Sequence, residues 1–428
     1  VTTLRLWWQL AGHERSATRA PTLLAVIAFA VTSTAALIAV SGMSAFGHRA
    51  NFSFDTPSGL YYGLALVAVG LLSVPVLTLG GLAARLAVAR RNNRLAGLRL
   101  VGATNAQVAG ITIVDAVAQA LLGALAGLVG FLVLLPLLGR IPFEGQRFGT
   151  ALWPGFPAVA GTLAVVVLAA VGSGLAAIAL VAVSPLGVVN RATPRRLSVL
   201  RLIVGLAIVA TWMVAPRFVA GHPQVLILLL VAAVAAVNLI GPYLVMVAGL
   251  VTASVAKRPA GLLAARRIVD DPRSAWRTVS TTGLAIMLAA LSTASTWFSV
   301  SPEAPYLPAD LTTGSVITLV IVAVLAATTS GVVQAAKVFD AAGHYRALAV
   351  IGADPRLPHQ ARTLEVAFPL LATVGTVGGL VALILAPFSL AVGPDALLRY
   401  LVAVTAAVVL TMTGLLASGP LVTQAVRG

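Results

Sequence analysis

Ten apolar runs punctuate this chain, near residues 21–43, 60–84, 109–138, 155–183, 199–215, 223–254, 279–298, 311–336, 365–389 and 396–420. Each is close to or beyond the roughly 20 residues that a helix needs to cross a bilayer. Such a pattern leaves few options for folding. No water is present inside a bilayer to satisfy backbone N–H and C=O groups, so only helices and closed barrels span it. Runs of this length read as helices. The 428 residues are 59% hydrophobic and only 9% charged, against about 25% charged in a soluble domain. The sixth run contains Gly241-Pro242, a pair expected to kink its helix or end it. The fold class that follows is an all-α integral membrane protein with about ten transmembrane helices.

The basic residues set the orientation. If the N-terminus lies inside, 23 of the 28 Lys and Arg residues fall in segments on the cytoplasmic side and five (Arg49, Arg140, Arg147, Arg217 and Arg399) fall outside. This positive-inside bias predicts both termini in the cytoplasm of a multi-pass plasma-membrane protein. It also accounts for the net charge of +16 through topology and contact with the lipid bilayer, without nucleic acid as a partner. Arg15 and Arg19 precede the first run in the manner of a signal peptide. That run is long for a cleaved leader and has an internal counterpart, so it reads as a retained helix. Trp7, Trp8, Trp153, Trp212, Trp276 and Trp297 all fall near predicted helix ends, as in an interfacial aromatic belt. The outside segments 44–59, 139–154, 216–222, 299–310 and 390–395 are too short for a folded domain of typical size.

One four-helix unit occurs twice. Arg15-Ser16-Ala17-Thr18-Arg19 precedes one long apolar run and Arg273-Ser274-Ala275-Trp276-Arg277 another. Leu98-Arg99-Leu100-Val101-Gly102-Ala103 is matched by Leu348-Ala349-Val350-Ile351-Gly352-Ala353, and each is followed at the same spacing by a carboxylate, Asp115 or Glu365. Ser184-Pro185-Leu186 has a late counterpart in Gly419-Pro420-Leu421. Duplicated membrane units of this kind build transporter bodies. The predicted organisation is a first unit over 1–198, a two-helix linker hairpin over 199–256 and a second unit over 257–428.

Segments 85–108 and 337–364 are polar and basic at first and then amphipathic. Leu95, Leu98 and Val101 recur at helical spacing, as do Tyr345, Leu348 and Ile351. Gly102-Ala103 and Gly352-Ala353 then stop the helix and turn the chain. Each segment reads as a short helix on the membrane surface. Its paired occurrence in a duplicated unit favours a docking element for a cytoplasmic partner over a plain interfacial anchor.

These residues resemble the FtsX-like (MacB-type) permeases of ABC transporters. The resemblance is carried by Arg90-Arg91-Asn92-Asn93-Arg94, by Leu98-Arg99-Leu100-Val101-Gly102-Ala103-Thr104 and by Asp115. The second copy contributes Leu348 to Asp354 and Glu365, and Ala264 to Arg273 is similar as well. It implies a ten-helix permease that couples to an ATPase through Arg94, Leu98, Arg99, Gly102, Ala103, Arg346, Leu348, Gly352 and Ala353. Where the family often has a glutamate, eight residues before the motif glycine, this chain has Arg94 and His344. The large extracytoplasmic domain of many members is also missing, and an extracytoplasmic accessory protein would have to supply one.

Other chemistry is absent. Both lysines, Lys257 and Lys337, follow alanine, so no Gly-Lys-Ser/Thr phosphate loop exists. ATP and Mg would be bound by a partner, a cytoplasmic ABC ATPase in two copies, with no cofactor in this chain. The five histidines lack metal-site spacing, there is no cysteine, and no catalytic motif frames a nucleophile. Asp115 and Glu365 read as interfacial carboxylates in the first turns of their helices, favoured by the helix dipole or paired with a loop arginine; a proton or cation site is the rival. Gly123, Gly127 and Gly130, with Gly375, Gly378 and Gly379, are expected to allow close helix packing. The function expected is that of a non-enzymatic permease subunit exporting or extracting an amphiphilic cargo: a peptide antibiotic, a lipid or a lipoprotein. A transmembrane signal transmitter acting on a cell-wall enzyme or sensor kinase is the alternative, and an ion-coupled secondary transporter a third reading.

Overall fold

The computed structural model describes residues 16–54, 56, 58–89, 105–182, 197–215, 223–294, 305–340, 356–385 and 394–417. They form eleven α-helices: α1 (Ser16–Arg49), α2 (Gly59–Ala89), α3 (Asn105–Leu138), α4 (Phe156–Ala182), α5 (Val199–Val214), α6 (Pro223–Val255), α7 (Pro259–Asp270), α8 (Pro272–Ala294), α9 (Leu307–Asp340), α10 (Arg356–Leu385) and α11 (Pro394–Ala417). The one sheet among the described residues is a two-stranded hairpin, β1 (Pro142–Phe143) with β2 (Gln146–Arg147), followed by a 3-10 turn at Gly149–Leu152.

Every predicted span has its helix. Eight helices (α1, α2, α3, α4, α6, α9, α10 and α11) are long and apolar enough to cross a membrane. At 16 residues, α5 is shorter, and α8 opens with two arginines, Arg273 and Arg277. Large apolar side chains such as Leu122, Val133, Leu168 and Leu401 point outward, as a lipid-solvated surface requires.

The same helix pairings occur in both halves. In the first, α1 packs on α2, α3 and α4, and α4 also meets α2 and α3. In the second, α8 packs on α9, α10 and α11, and α11 also meets α9 and α10. The halves join through α1 with α9, α2 with α8 and α2 with α9. Helix α6 lies along α2, α8 and α10, with α5 against it.

Close backbone approach seats α1 on α3. A Cβ added at Gly127 would lie 2.6 Å from the Ala30 carbonyl oxygen and 2.6 Å from Ser33 Cβ, and one at Gly123 would strike Phe29. The gap is used: Thr34 Oγ1 donates to the Gly127 carbonyl at 2.9 Å. The expectation for the second triplet fails. Nothing lies within 4 Å of an added Cβ at Gly375 or Gly379, and at Gly378 only the Tyr400 hydroxyl comes near, at 3.5 Å. In this half the close approach is between α9 and α11, where a Cβ on Gly414 would strike the Ala327 backbone.

Two further expectations change. Of the two outcomes expected at Gly241-Pro242, a kink or an end, the end does not occur, since α6 runs through to Val255. Gly241 serves instead as the seat of the Trp276 indole, which any side chain there would strike. Trp276 is therefore no belt residue. It is 4% exposed, and its Nε1–H donates to Asn238 Oδ1 at 3.3 Å. Trp212 is likewise buried. Helix periodicity carries both rings inward, which proximity to a helix end does not reveal.

Overpacking a tight helix contact costs about 1–3 kcal/mol. Gly127→Leu is expected to lower the melting temperature in detergent and the monodisperse yield, whereas Gly375→Leu should leave both near wild type. Fluorescence-detected gel filtration over a heating series reads the difference.

Candidate functional site

Two polar clusters lie on the helix bundle, one at each end. Residues assigned to the outside collect in one, and residues assigned to the cytoplasm collect in the other.

The first cluster is built on α7, α9 and α10. Helix α7 starts with Pro259 at its first position and buries Ala260, Gly261, Ala264, Ala265 and Ile268, packing on α6, α8 and α10. Asp271 then caps α8: its Oδ1 accepts the Ser274 N–H at 3.1 Å, satisfying an amide that the helix leaves free. This geometry places Arg267 beside Glu365. The Glu365 carboxylate meets Lys337 Nζ at 2.6 Å and Arg267 Nη1 at 3.6 Å, and its side chain is 10% exposed. A carboxylate so far from water needs such partners. One turn away on α10, buried Arg362 donates to Gln334 Oε1 of α9 and to the Leu415 carbonyl of α11, both at 3.3 Å. Four helices of the second half, α7, α9, α10 and α11, are thus tied by long polar side chains.

In the first half, Asp115 is 8% exposed and accepts from Gln119 Nε2 at 2.8 Å. Neither carboxylate lies in a first helical turn. Helix α3 starts at Asn105, ten residues before Asp115, and α10 at Arg356, nine before Glu365. The helix dipole acts within about one turn, so contacts between side chains account for both sites. The ion-pair partners of Glu365 also lie on helices and not in a loop.

Arg94, Leu98, Arg99, Gly102, Ala103, Arg346, Leu348, Gly352 and Ala353 lie outside the described residues. Lys337 and Glu365 bracket the segment that holds the last four, joining its two flanking helices by an ion pair.

The second cluster closes the other end. Arg49, in the last turn of α1, reaches the hairpin between α3 and α4. Its Nη1 donates to the Phe143 carbonyl at 2.9 Å and to Glu144 Oε2 at 3.1 Å, and its guanidinium lies 4.0 Å over the Phe148 ring. Phe46 packs edge-on against Phe143 and Phe148, and Ser41 donates to the Leu152 carbonyl. The other half contributes Asp310, in the first turn of α9 and 7% exposed. Its Oδ2 accepts from the Tyr61 hydroxyl of α2 at 2.9 Å and from the Glu144 N–H at 2.8 Å. Glu144 and Gly145 have φ of 55° and 73°, and a Cβ on Gly145 would lie 2.8 Å from the Tyr306 ring. A clasp thus links α1, α2 and the hairpin of one half to α9 of the other. Sequence reading placed Asp310, Glu144 and Arg49 outside but treated their segments as plain loops. Among the described residues, no group of three or more His, Asp or Glu side chains could hold a metal ion.

Losing the acceptor of a buried donor costs about 1–3 kcal/mol. Glu365→Ala, which strips two cations of their partner, should lower the melting temperature more than Glu365→Gln. At the other end Asp310→Ala orphans two donors and Tyr61→Phe removes one, so the first should cost more. Thermal unfolding of the four variants in one detergent provides the ranking.

Residues 79–185 match the family model described as FtsX-like permease C-terminal. The match spans about a quarter of the chain and runs from the end of α2 through 90–104, α3 and the hairpin to α4 and beyond. Searches of curated proteins and of solved structures each found no match. Permeases of this family generally work with a cytoplasmic ABC ATPase. With eight helices long and apolar enough to cross a membrane, the chain is a multi-pass membrane protein whose residues 79–185 are similar to the C-terminal part of FtsX-like permeases.

Proposed function

We propose that this chain is the permease subunit through which a separate ATPase exports or extracts an amphiphilic cargo of the peptide antibiotic, lipid or lipoprotein class. The family match over 79–185 carries this reading. Segments 90–104 and 341–355 each follow one of the helices, α2 and α9, that join the two halves. An ATPase docked on each segment, closing on ATP, would push directly on that junction, and the clasp at the far end would yield or tighten. Two ATPase copies suit two segments, and ATP with Mg would be bound there, since this chain lacks a phosphate loop. Both termini and the basic segments face the cytoplasm of a plasma-membrane protein in this scheme, following the 23-to-5 distribution of basic residues. Apolar helix faces would hand cargo to or from the bilayer, and a separate outer protein would receive it.

Three measurements test the scheme. The purified chain should hydrolyse no ATP until its ATPase is added; hydrolysis by the single chain overturns it. A cysteine at Arg94 or Arg346, introduced into a chain that has none, should resist an impermeant thiol reagent in intact cells. Leu98→Asp and Leu348→Asp should each weaken ATPase pull-down by tenfold or more per folded permease, because an unpaired buried carboxylate costs several kcal/mol. Unchanged binding in both would remove these segments from the coupling role.

A further inference from the structure

A cavity of about 860 Å³ opens between the end of α6, the start of α7 and the lower part of α10, within the range of ligand sites. Its walls are of two kinds. Val251, Val255, Leu364 and Phe368 form an apolar side, and Val251 and Val255 are 58% and 70% exposed. Lys257 and Arg258 stand at the rim, where α6 gives way to α7. Both are exposed, and the structure gives neither side chain an ion pair or hydrogen bond among the described residues. Arg258 is the residue before α7, and its side chain makes no cap hydrogen bond. Space remains inside: a Cβ added at Gly261, on the cavity wall, would meet only Ala256 Cβ, at 3.6 Å.

From this arrangement we propose an anionic phospholipid site, with the phosphate on Lys257 and Arg258 and an acyl chain along the α6 and α10 wall. The chemistry selects the occupant. Two cations at the end of a membrane helix attract anionic headgroups, and basic pockets between helices at the membrane surface bind them. The apolar wall continues from the cations into the membrane span of α6, which ends at Val255. A soluble anion would leave that wall unused. Occupancy also bears on the neighbouring ion pairs. The bound lipid would touch α7, which carries Arg267, and α10 beside Glu365, so it would steady the side chains tied to Lys337.

The test is native mass spectrometry of the full chain in detergent, titrated with phosphatidylglycerol or phosphatidylcholine. One phosphatidylglycerol should be retained in preference to phosphatidylcholine. Lys257→Gln with Arg258→Gln should weaken that retention about tenfold and leave phosphatidylcholine unchanged. Arg266→Gln, on the exposed face of α7 outside the cavity, should change neither. Gly261→Leu, which fills the cavity with both cations in place, should also abolish the preference. Thr252→Phe fills it from α6 should the first variant elute as aggregate. Equal retention of the two lipids by the wild type would overturn the proposal. So would loss in the charge variant with full retention in the filled ones, which is diffuse attraction without a cavity. Displacement of the lipid by millimolar inorganic phosphate would show a free-phosphate site and overturn it as well.

Discussion

Helices in a bilayer gain little by hiding apolar side chains from one another, because lipid is equally apolar. Association has to come from close packing and from hydrogen bonds that lipid cannot supply. The contact of α1 with α3 shows both at once: Gly123 and Gly127 let the backbones approach until Thr34 reaches the Gly127 carbonyl. The rest of the first half hangs on this pair. It fixes Arg49 at one end of α1 over the hairpin that follows α3, and so decides where the clasp can close on Asp310. Without that register the aromatic cluster of Phe46, Phe143 and Phe148 would have no common centre.

The helices that can span a bilayer were legible because hydropathy is a property of composition over long windows. What those windows miss is where a helix begins. Helices α3 and α10 start at Asn105 and Arg356, among polar residues well before the apolar stretch, so Asp115 and Glu365 stand ten and nine residues into their helices and not in the first turns. The glycine triplets were legible as small faces only. Gly127 meets a neighbouring backbone and Gly375 meets nothing, and sequence spacing is alike for both. Contacts over long separations, such as Tyr61 with Asp310, left no local trace. The residues resembling an ATPase-coupling motif lie outside the described residues, and only the first of the two stretches falls within the family match.

The two halves share helix pairings, and each holds a carboxylate at the equivalent place, Asp115 on α3 and Glu365 on α10. At one end of the second half, Glu365 joins α7, α9 and α10, and Arg362 adds α11. At the position equivalent to Glu365, Asp115 bonds within its own helix to Gln119.

The turn at the tip of the hairpin carries a mechanical implication. Glu144, which is not glycine, is held with φ at 55°, a left-handed conformation that costs an L-residue roughly 1–2 kcal/mol. Its amide is held by Asp310, which belongs to the opposite half. Separation of the halves removes the acceptor that keeps Glu144 in this state, and the backbone is then free to fall into an ordinary extended conformation. Because the Glu144 carboxylate and the Phe143 carbonyl are both ligands of Arg49, that one dihedral change would loosen the arginine as well. The turn therefore couples one backbone torsion in the hairpin to the contact between the halves.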